Sequence, residues 1–233
     1  MILGRILILL TVVCAFSACR KTETAETKSP AATSVAPAPA PAATPPPAPA
    51  AKSPAAATAP AAPAAPAATA AKHALIETDK GTIEIELLSA EAPKAAENFR
   101  LLAERGYYNG VTFHRIVKGF MLQGGDPKGD GTGGESAWGG TFADEIQRTS
   151  PLYRGGYKRG LVAMANAGPN TNSSQFFIMH QDYPLPPGYT IFGRVIKGME
   201  VVDALAETPT GPSPRGEMSR PLSPVVMRKV TLR

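Results

Sequence analysis

Residues 111–134, VTFHRIVKGFMLQGGDPKGDGTGG, set one arginine, Arg115, among apolar neighbours. A second stretch, residues 160–179, GLVAMANAGPNTNSSQFFIM, adds Asn166, Gln175 and Phe177 to the Phe120, Met121 and Gln123 of the first. Burying a guanidinium without a partner is costly, so Arg115 faces water, pairs with a carboxylate, or works as a donor in a cleft. Nucleophilic chemistry lacks its parts. Cys14 and Cys19 are the only cysteines and both lie near the N-terminus, and His114 with Ser173 or Ser174 fits no triad motif such as G-x-S-x-G. His73, His114 and His180 lack metal-ligand spacing, so no metal and no cofactor is expected. What remains is a cation, side-chain amides and aromatic rings, a set that can hold a planar polar group and stabilise charge developing on it.

These residues need strands to position them. Residues 111–117 and 120–123 are rich in β-branched and aromatic types on either side of the Lys118-Gly119 break. Strict alternation would place Phe113, Arg115 and Val117 on one face, Met121 and Gln123 together on another, and Gln175, Phe177 and Met179 on one side of their own strand. Upstream, residues 74–78 and 82–87 read as a hairpin across Asp79-Lys80-Gly81, and Pro93 opens a helix over 93–105 with Gly106 behind it. Ala95, Phe99, Leu102 and Ala103 form its apolar stripe. Further strands are expected over 161–165, 175–179, 190–196 and 225–232, with a two-turn helix over 199–206 and a proline-rich surface loop over 209–224. Short strands with few helices predict an all-β barrel or sandwich. Gly129, Gly131 and Gly134 satisfy G-x-G-x-x-G, but no helical pattern follows and Asp126 and Asp130 would face a phosphate, so a dinucleotide site is rejected.

The first 72 residues have a different texture. Arg5 precedes an apolar run over 6–16, too short to span a bilayer comfortably and proportioned like a secretory signal. It ends Phe16-Ser17-Ala18-Cys19, which resembles the lipobox of bacterial lipoproteins, so residues 1–18 read as a signal peptide and Cys19 as the lipidated position. Residues 19–72 form a linker in which 12 of the chain's 24 prolines fall between Pro30 and Pro66. Proline and alanine in alternation favour extended, solvated backbone, so this segment is expected to be a disordered tether. Six Lys or Arg and two Asp or Glu precede His73, leaving 18 and 17 in the body, so most of the +5 net charge belongs to leader and tether. A nearly neutral body excludes the clustered basic face that nucleic acid would require.

FHRI, GFMLQGGD, GDGTGG, MANAGPNTNSSQFFI and IFGRVIKGM occur in the order and pattern of the cyclophilins, and the resemblance runs from about Ala74 to the C-terminus. It implies a domain over 73–233 folded as a closed eight-stranded antiparallel barrel capped by two helices. It also implies a peptidyl-prolyl cis-trans isomerase needing no cofactor, acting on proline-containing unfolded or partly folded polypeptides, and most simply a monomer. By that resemblance Arg115 matches the catalytic arginine, and Phe120, Met121, Phe177 and Leu185 match the apolar pocket for the proline ring. Gln123, Asn166 and Gln175 match the groups that hold the peptide or orient the arginine, Ala165 and Ala167 line the groove, and His114 lies beside it. Tyr189 stands where many eukaryotic members have histidine. Pro184 replaces the tryptophan of cyclosporin-sensitive members, so sensitivity to that drug is not implied.

On this reading Arg115 sits in a dry cleft beside Phe120 and Phe177, without a salt-bridge mate. The alternative from another class is a non-catalytic chaperone or scaffold module that holds proline peptides in the same groove. With the lipobox, the expected location is extracytoplasmic, anchored to the envelope of a bacterium on its periplasmic side. Arg20, rather than an aspartate, after the cysteine favours the outer membrane.

Overall fold

The computed structural model describes residues 72–233; the leader, Cys19 and the Ala/Pro-rich tether lie outside the described residues. The first hairpin forms as its alternation dictates, with β1 (His73–Thr78) paired to β2 (Gly81–Leu87) through Ile76↔Ile83 and Thr78↔Gly81. Helix α1 (Pro93–Glu104) begins at its proline and buries Ala95, Phe99, Leu102 and Ala103. No side chain of its own caps it. Instead the Glu145 carboxylate accepts from the free N–H groups of Lys94 and Ala95 at 3.0 and 2.8 Å, supplying the negative charge that a helix start favours.

Strands β3 (Thr112–Val117) and β4 (Met121–Asp126) follow, then a short helix α2 (Pro151–Arg154) capped by Ser150, β5 (Leu161–Met164), β6 (Phe176–Met179), β7 (Ile191–Lys197), helix α3 (Met199–Ala206), β8 (Thr210–Pro212), β9 (Met218–Pro221) and β10 (Met227–Leu232). Eight strands make one antiparallel sheet in the order β10-β1-β2-β7-β5-β6-β4-β3.

Three expectations are corrected. The sheet curls into a half-barrel and does not close, because β3 and β10 share no ladder and meet only at the bridge Thr112↔Val226 and a few flanking backbone bonds. Helix α2 joins the two expected helices. The run 209–224 is no simple loop, since β8 and β9 pair as a separate hairpin.

The curl gives the sheet two apolar faces. Phe113, Ile116, Leu122, Val162, Met164, Phe176 and Ile178 enter the main core, where Phe99 of α1 packs against Tyr108, Phe176 and Phe192 with ring centroids 4.9–5.4 Å apart. Their neighbours Met121, Leu161, Ala163, Phe177 and Met179 point the other way and join Tyr153, Tyr157 and Ile191 in a second cluster. That second cluster is the foundation of the site.

Candidate active site

Arg115 reaches the second face because β3 is bulged. The register runs Phe113↔Gly124 and then Arg115↔Gln123, so two residues of β3 oppose one step of β4, and His114 is the extra one. This corrects the strict alternation: Phe113 is fully buried in the main core, whereas Arg115 turns toward Met121 and Gln123. Its Nη1 donates to Gln123 Oε1 at 3.2 Å and lies 3.7 Å from Met121 Sδ, and its guanidinium carbon stands 5.7 Å from the centre of the Phe120 ring.

A polarised chain of hydrogen bonds extends from there. Gln123 Nε2 donates to Gln175 Oε1 at 3.0 Å, and Gln175 Nε2 donates to the carbonyls of Gly131 and Gly133 at 3.2 and 2.8 Å. The glycine-rich loop thereby fixes which way both amides point, and so presents an oxygen to the arginine. The loop is itself wound on the buried Asp126 carboxylate, which accepts from the backbone N–H groups of Lys128, Asp130, Gly131 and Gly133. Gly125 lets it start: its φ is +87°, and a Cβ there would stand 2.4 Å from the Ser174 carbonyl oxygen.

Beside the arginine lies an apolar floor. Phe177 and Met121 are almost wholly buried, and half-buried Phe120, Ala165, Leu185 and Tyr189 pack against the same cluster. Phe120 stacks on Tyr183 with centroids 4.3 Å apart, and Tyr189 meets Phe177 edge-on at 5.4 Å and 89°. The turn carrying Phe120 is pinned from α3: Gly119 N donates to His180 Nδ1 at 2.9 Å, and His180 Nε2 faces Asp203, which Arg159 also grips with two bonds. Because Nδ1 accepts, the His180 proton sits on Nε2. The Tyr157 hydroxyl donates to Tyr189 O at 2.8 Å and accepts from Tyr189 N at 3.0 Å, holding that residue's backbone by both groups. Burial pushes the Tyr157 hydroxyl well above the ordinary phenol range and that of Tyr153 up to about 12, so both remain protonated donors at neutral pH.

The geometry therefore offers a cation and aligned amides beside a packed apolar cluster. The family model for cyclophilin type peptidyl-prolyl cis-trans isomerases matches residues 73–232. The chain belongs to that family and is a peptidyl-prolyl cis-trans isomerase. Among the relatives of this cyclophilin is the peptidyl-prolyl cis-trans isomerase CYP18-1 of Arabidopsis thaliana, 50% identical over 158 residues that cover 67% of this chain and 93% of the relative. Peptidyl-prolyl cis-trans isomerase-like 3 of Gallus gallus is 46% identical over the same shares of each chain. A crystal structure of a cyclophilin type isomerase of Cryptosporidium parvum superposes with a TM-score of 0.63 at 37% identity, covering 70% of this chain and 98% of that one. The same protein in the presence of the dipeptide Ala-Pro gives 0.62, covering 69% and 98%.

In this cyclophilin domain the structure brings Arg115, Phe120, Met121, Gln123, Gln175, Phe177, Leu185 and Tyr189 together. Ala165 joins the floor, and Asn166 stands at its edge, donating through Nδ2 to Gly188 O at 2.9 Å. Ala167 is exposed beyond it. His114 is not in the hydrogen-bonded chain that starts at Arg115: it lies under the glycine loop near Gly131, its ring nitrogens are buried without a partner among the described residues, and burial lowers its pKa.

One expectation about the arginine is overturned. Arg115 does have a salt-bridge mate, since Nε and Nη2 donate to Glu217 at 2.6 and 2.8 Å, and its side chain is 33% exposed. That hydrogen bond holds the Glu217 carboxyl below its usual range, against the opposing effect of burial. Glu217, Tyr157, Tyr183 and His180 escape sequence reasoning.

Proposed function

We propose that Arg115 is the group that accelerates rotation, and that the substrates are X-Pro bonds in polypeptides folding outside the cytoplasm. Amide resonance sets a barrier of about 18–20 kcal/mol, and rotation becomes easier when the proline nitrogen's lone pair is localised. A guanidinium N–H aimed at that nitrogen binds the twisted state better than either planar one, which is the condition for catalysis. The Phe120, Met121, Phe177 and Leu185 surface would take the pyrrolidine ring, and Gln123, Gln175 and Asn166 would hold the adjoining backbone or orient the arginine, with Ala165 and Ala167 along the groove. His114 then acts from beneath the loop rather than on the peptide.

The observation that carries this reading is the position of Arg115, bonded to Gln123 on one side and 5.7 Å from the Phe120 ring on the other. In a coupled assay on a short X-Pro peptide, Arg115→Ala should lose about a hundredfold in kcat/KM, the scale for removing one aimed donor. Wild-type rates no higher than those of Arg115→Ala would remove the arginine from the chemistry. Peptide binding with no acceleration would then leave the holding module.

The extracytoplasmic location rests on the Phe16-Ser17-Ala18-Cys19 sequence and the proline-rich spacer behind it. Stable anchoring needs more than one acyl chain. Mass spectrometry of the mature N-terminus tests it: an intact Met1 or an unmodified Cys19 removes the anchor.

A further inference from the structure

The reading of Arg115 as donor leaves Glu217 unexplained. A guanidinium carries five N–H groups in one plane. Glu217 takes the Nε–H and one Nη2–H side-on, and Gln123 takes one Nη1–H. Nη1 also faces Met121 Sδ at 3.7 Å, a weak acceptor, so the second Nη2–H is the one N–H of this guanidinium with no acceptor among the described residues. Acceptors on two sides of a planar group fix its plane as well as its position, which one acceptor cannot do.

Glu217 is in turn held by a braced hairpin rather than a loose loop. Ser213 N donates to Glu217 O at 2.7 Å, Gly216 N to Ser213 O at 2.9 Å, and the strands pair through Thr210↔Pro221 and Gly211↔Arg220. Ser219, two residues on, is buried. The pair is also partly shielded, with side-chain exposures of 33% and 41%, so it is neither a dry ion pair nor a fully solvated one.

We propose that Glu217 is a positioning residue for the isomerase reaction: its side-on grip, opposed by Gln123, holds the Arg115 guanidinium so that the Nη2–H it leaves free is turned toward the substrate. The inference rests on Arg115 being the donor. Without the carboxylate, the arginine keeps Gln123 and Phe120 but is free to rotate about the Gln123 bond, so the donor is misaligned for part of the time.

The test is steady-state kinetics on a short X-Pro peptide with Glu217→Gln, which keeps the side chain's length but removes its charge and one acceptor. The expected result is a fall of about three- to fivefold in kcat, the scale of a partly exposed ion pair, with KM within about twofold and a melting temperature lowered by no more than about 2–4 °C. On the Arg115→Ala background the same substitution should leave the residual rate unchanged. A Glu217→Gln rate equal to or above wild type would overturn the proposal, as would an equal loss on the Arg115→Ala background. If Arg115→Ala itself keeps the wild-type rate, the donor reading falls and this inference with it. If Arg115→Ala is inactive while Glu217→Gln is fully active, this inference alone is lost.

Discussion

Removing one oxygen atom from the apolar floor beside Arg115 should affect both stability and substrate binding. Tyr157→Phe deletes the hydroxyl that donates to Tyr189 O and accepts from Tyr189 N. The carbonyl keeps a second donor, the Tyr153 hydroxyl at 3.3 Å, but the amide N–H is left without its partner in a part-buried place. Two hydrogen bonds at a net ~1 kcal/mol each give a loss of about 2 kcal/mol. For a domain of this size that lowers the melting temperature by roughly 4–8 °C. The ring of Tyr189, edge-on to Phe177 at 5.4 Å, loses the backbone anchor that sets its angle, and an aromatic contact of this kind is worth ~0.5–1.5 kcal/mol. KM should therefore rise about threefold while kcat, assigned above by proposal to Arg115, stays near wild type. Calorimetry and the coupled peptide assay read the two effects separately. A Tyr157→Phe protein with unchanged melting temperature and unchanged KM would refute the idea that this hydroxyl fixes the floor.

Two further outcomes follow from buried and paired polar groups. Asn98 is fully buried, donates to Ser173 O and accepts from Ala137 N, both at 2.8 Å; Asn98→Leu strands a carbonyl and an N–H and should cost roughly 2–4 kcal/mol by urea titration. Acid should destabilise the domain through its paired carboxylates. Hydrogen bonds lower the pKa of Glu97 and Glu217 through Arg100 and Arg115, that of Asp203 through Arg159, and that of Asp182 through the Arg159 backbone. A carboxylate with a depressed folded pKa binds fewer protons folded than unfolded, so its contribution is complete above the ordinary carboxylate range near pH 4 and is lost as pH falls through the depressed values. The urea midpoint should decline gently below about pH 6.5, where the unfolded chain protonates His114 more readily than the buried ring, and drop further below about pH 4. A midpoint that holds or rises there contradicts these pairings.

Local pattern was sufficient where local rules decide. The β1–β2 hairpin, α1 with its leading proline, and α3 stand where periodicity and turn residues put them. The bulge at His114 was not legible, because a period of two assumes that no residue is inserted, and one insertion moves Arg115 off Phe113's face. The β8–β9 hairpin was hidden by its prolines, yet Pro212 and Pro221 are the last residues of their strands, a boundary position where a missing N–H disturbs little of the ladder. Whether the sheet closes is a long-range matter between β3 and β10 that no window of sequence reports. Of the site, the residues on β3, β4 and β6 were legible as a set. Glu217 was not: it lies 102 positions from the arginine it grips, and nothing local to it distinguishes it from a surface carboxylate.

The same two-faced sheet explains why pocket and core residues look alike in sequence, and it decides which substitutions can report on chemistry. Phe176 and Phe177 are adjacent, both nearly inaccessible, and serve opposite faces: one packs on Phe99, the other under Tyr189. Truncating a buried aromatic typically costs ~3–5 kcal/mol wherever it points, so loss of activity in a Phe177 variant would mix unfolding with an emptied pocket. Arg115 and Gln123 are only partly buried and Glu217 is exposed, so changing them removes hydrogen bonds without opening a cavity. Rate effects at those three positions that leave melting temperature unmoved can therefore be assigned to the orientation of the guanidinium, whereas those on the floor need stability measured beside them.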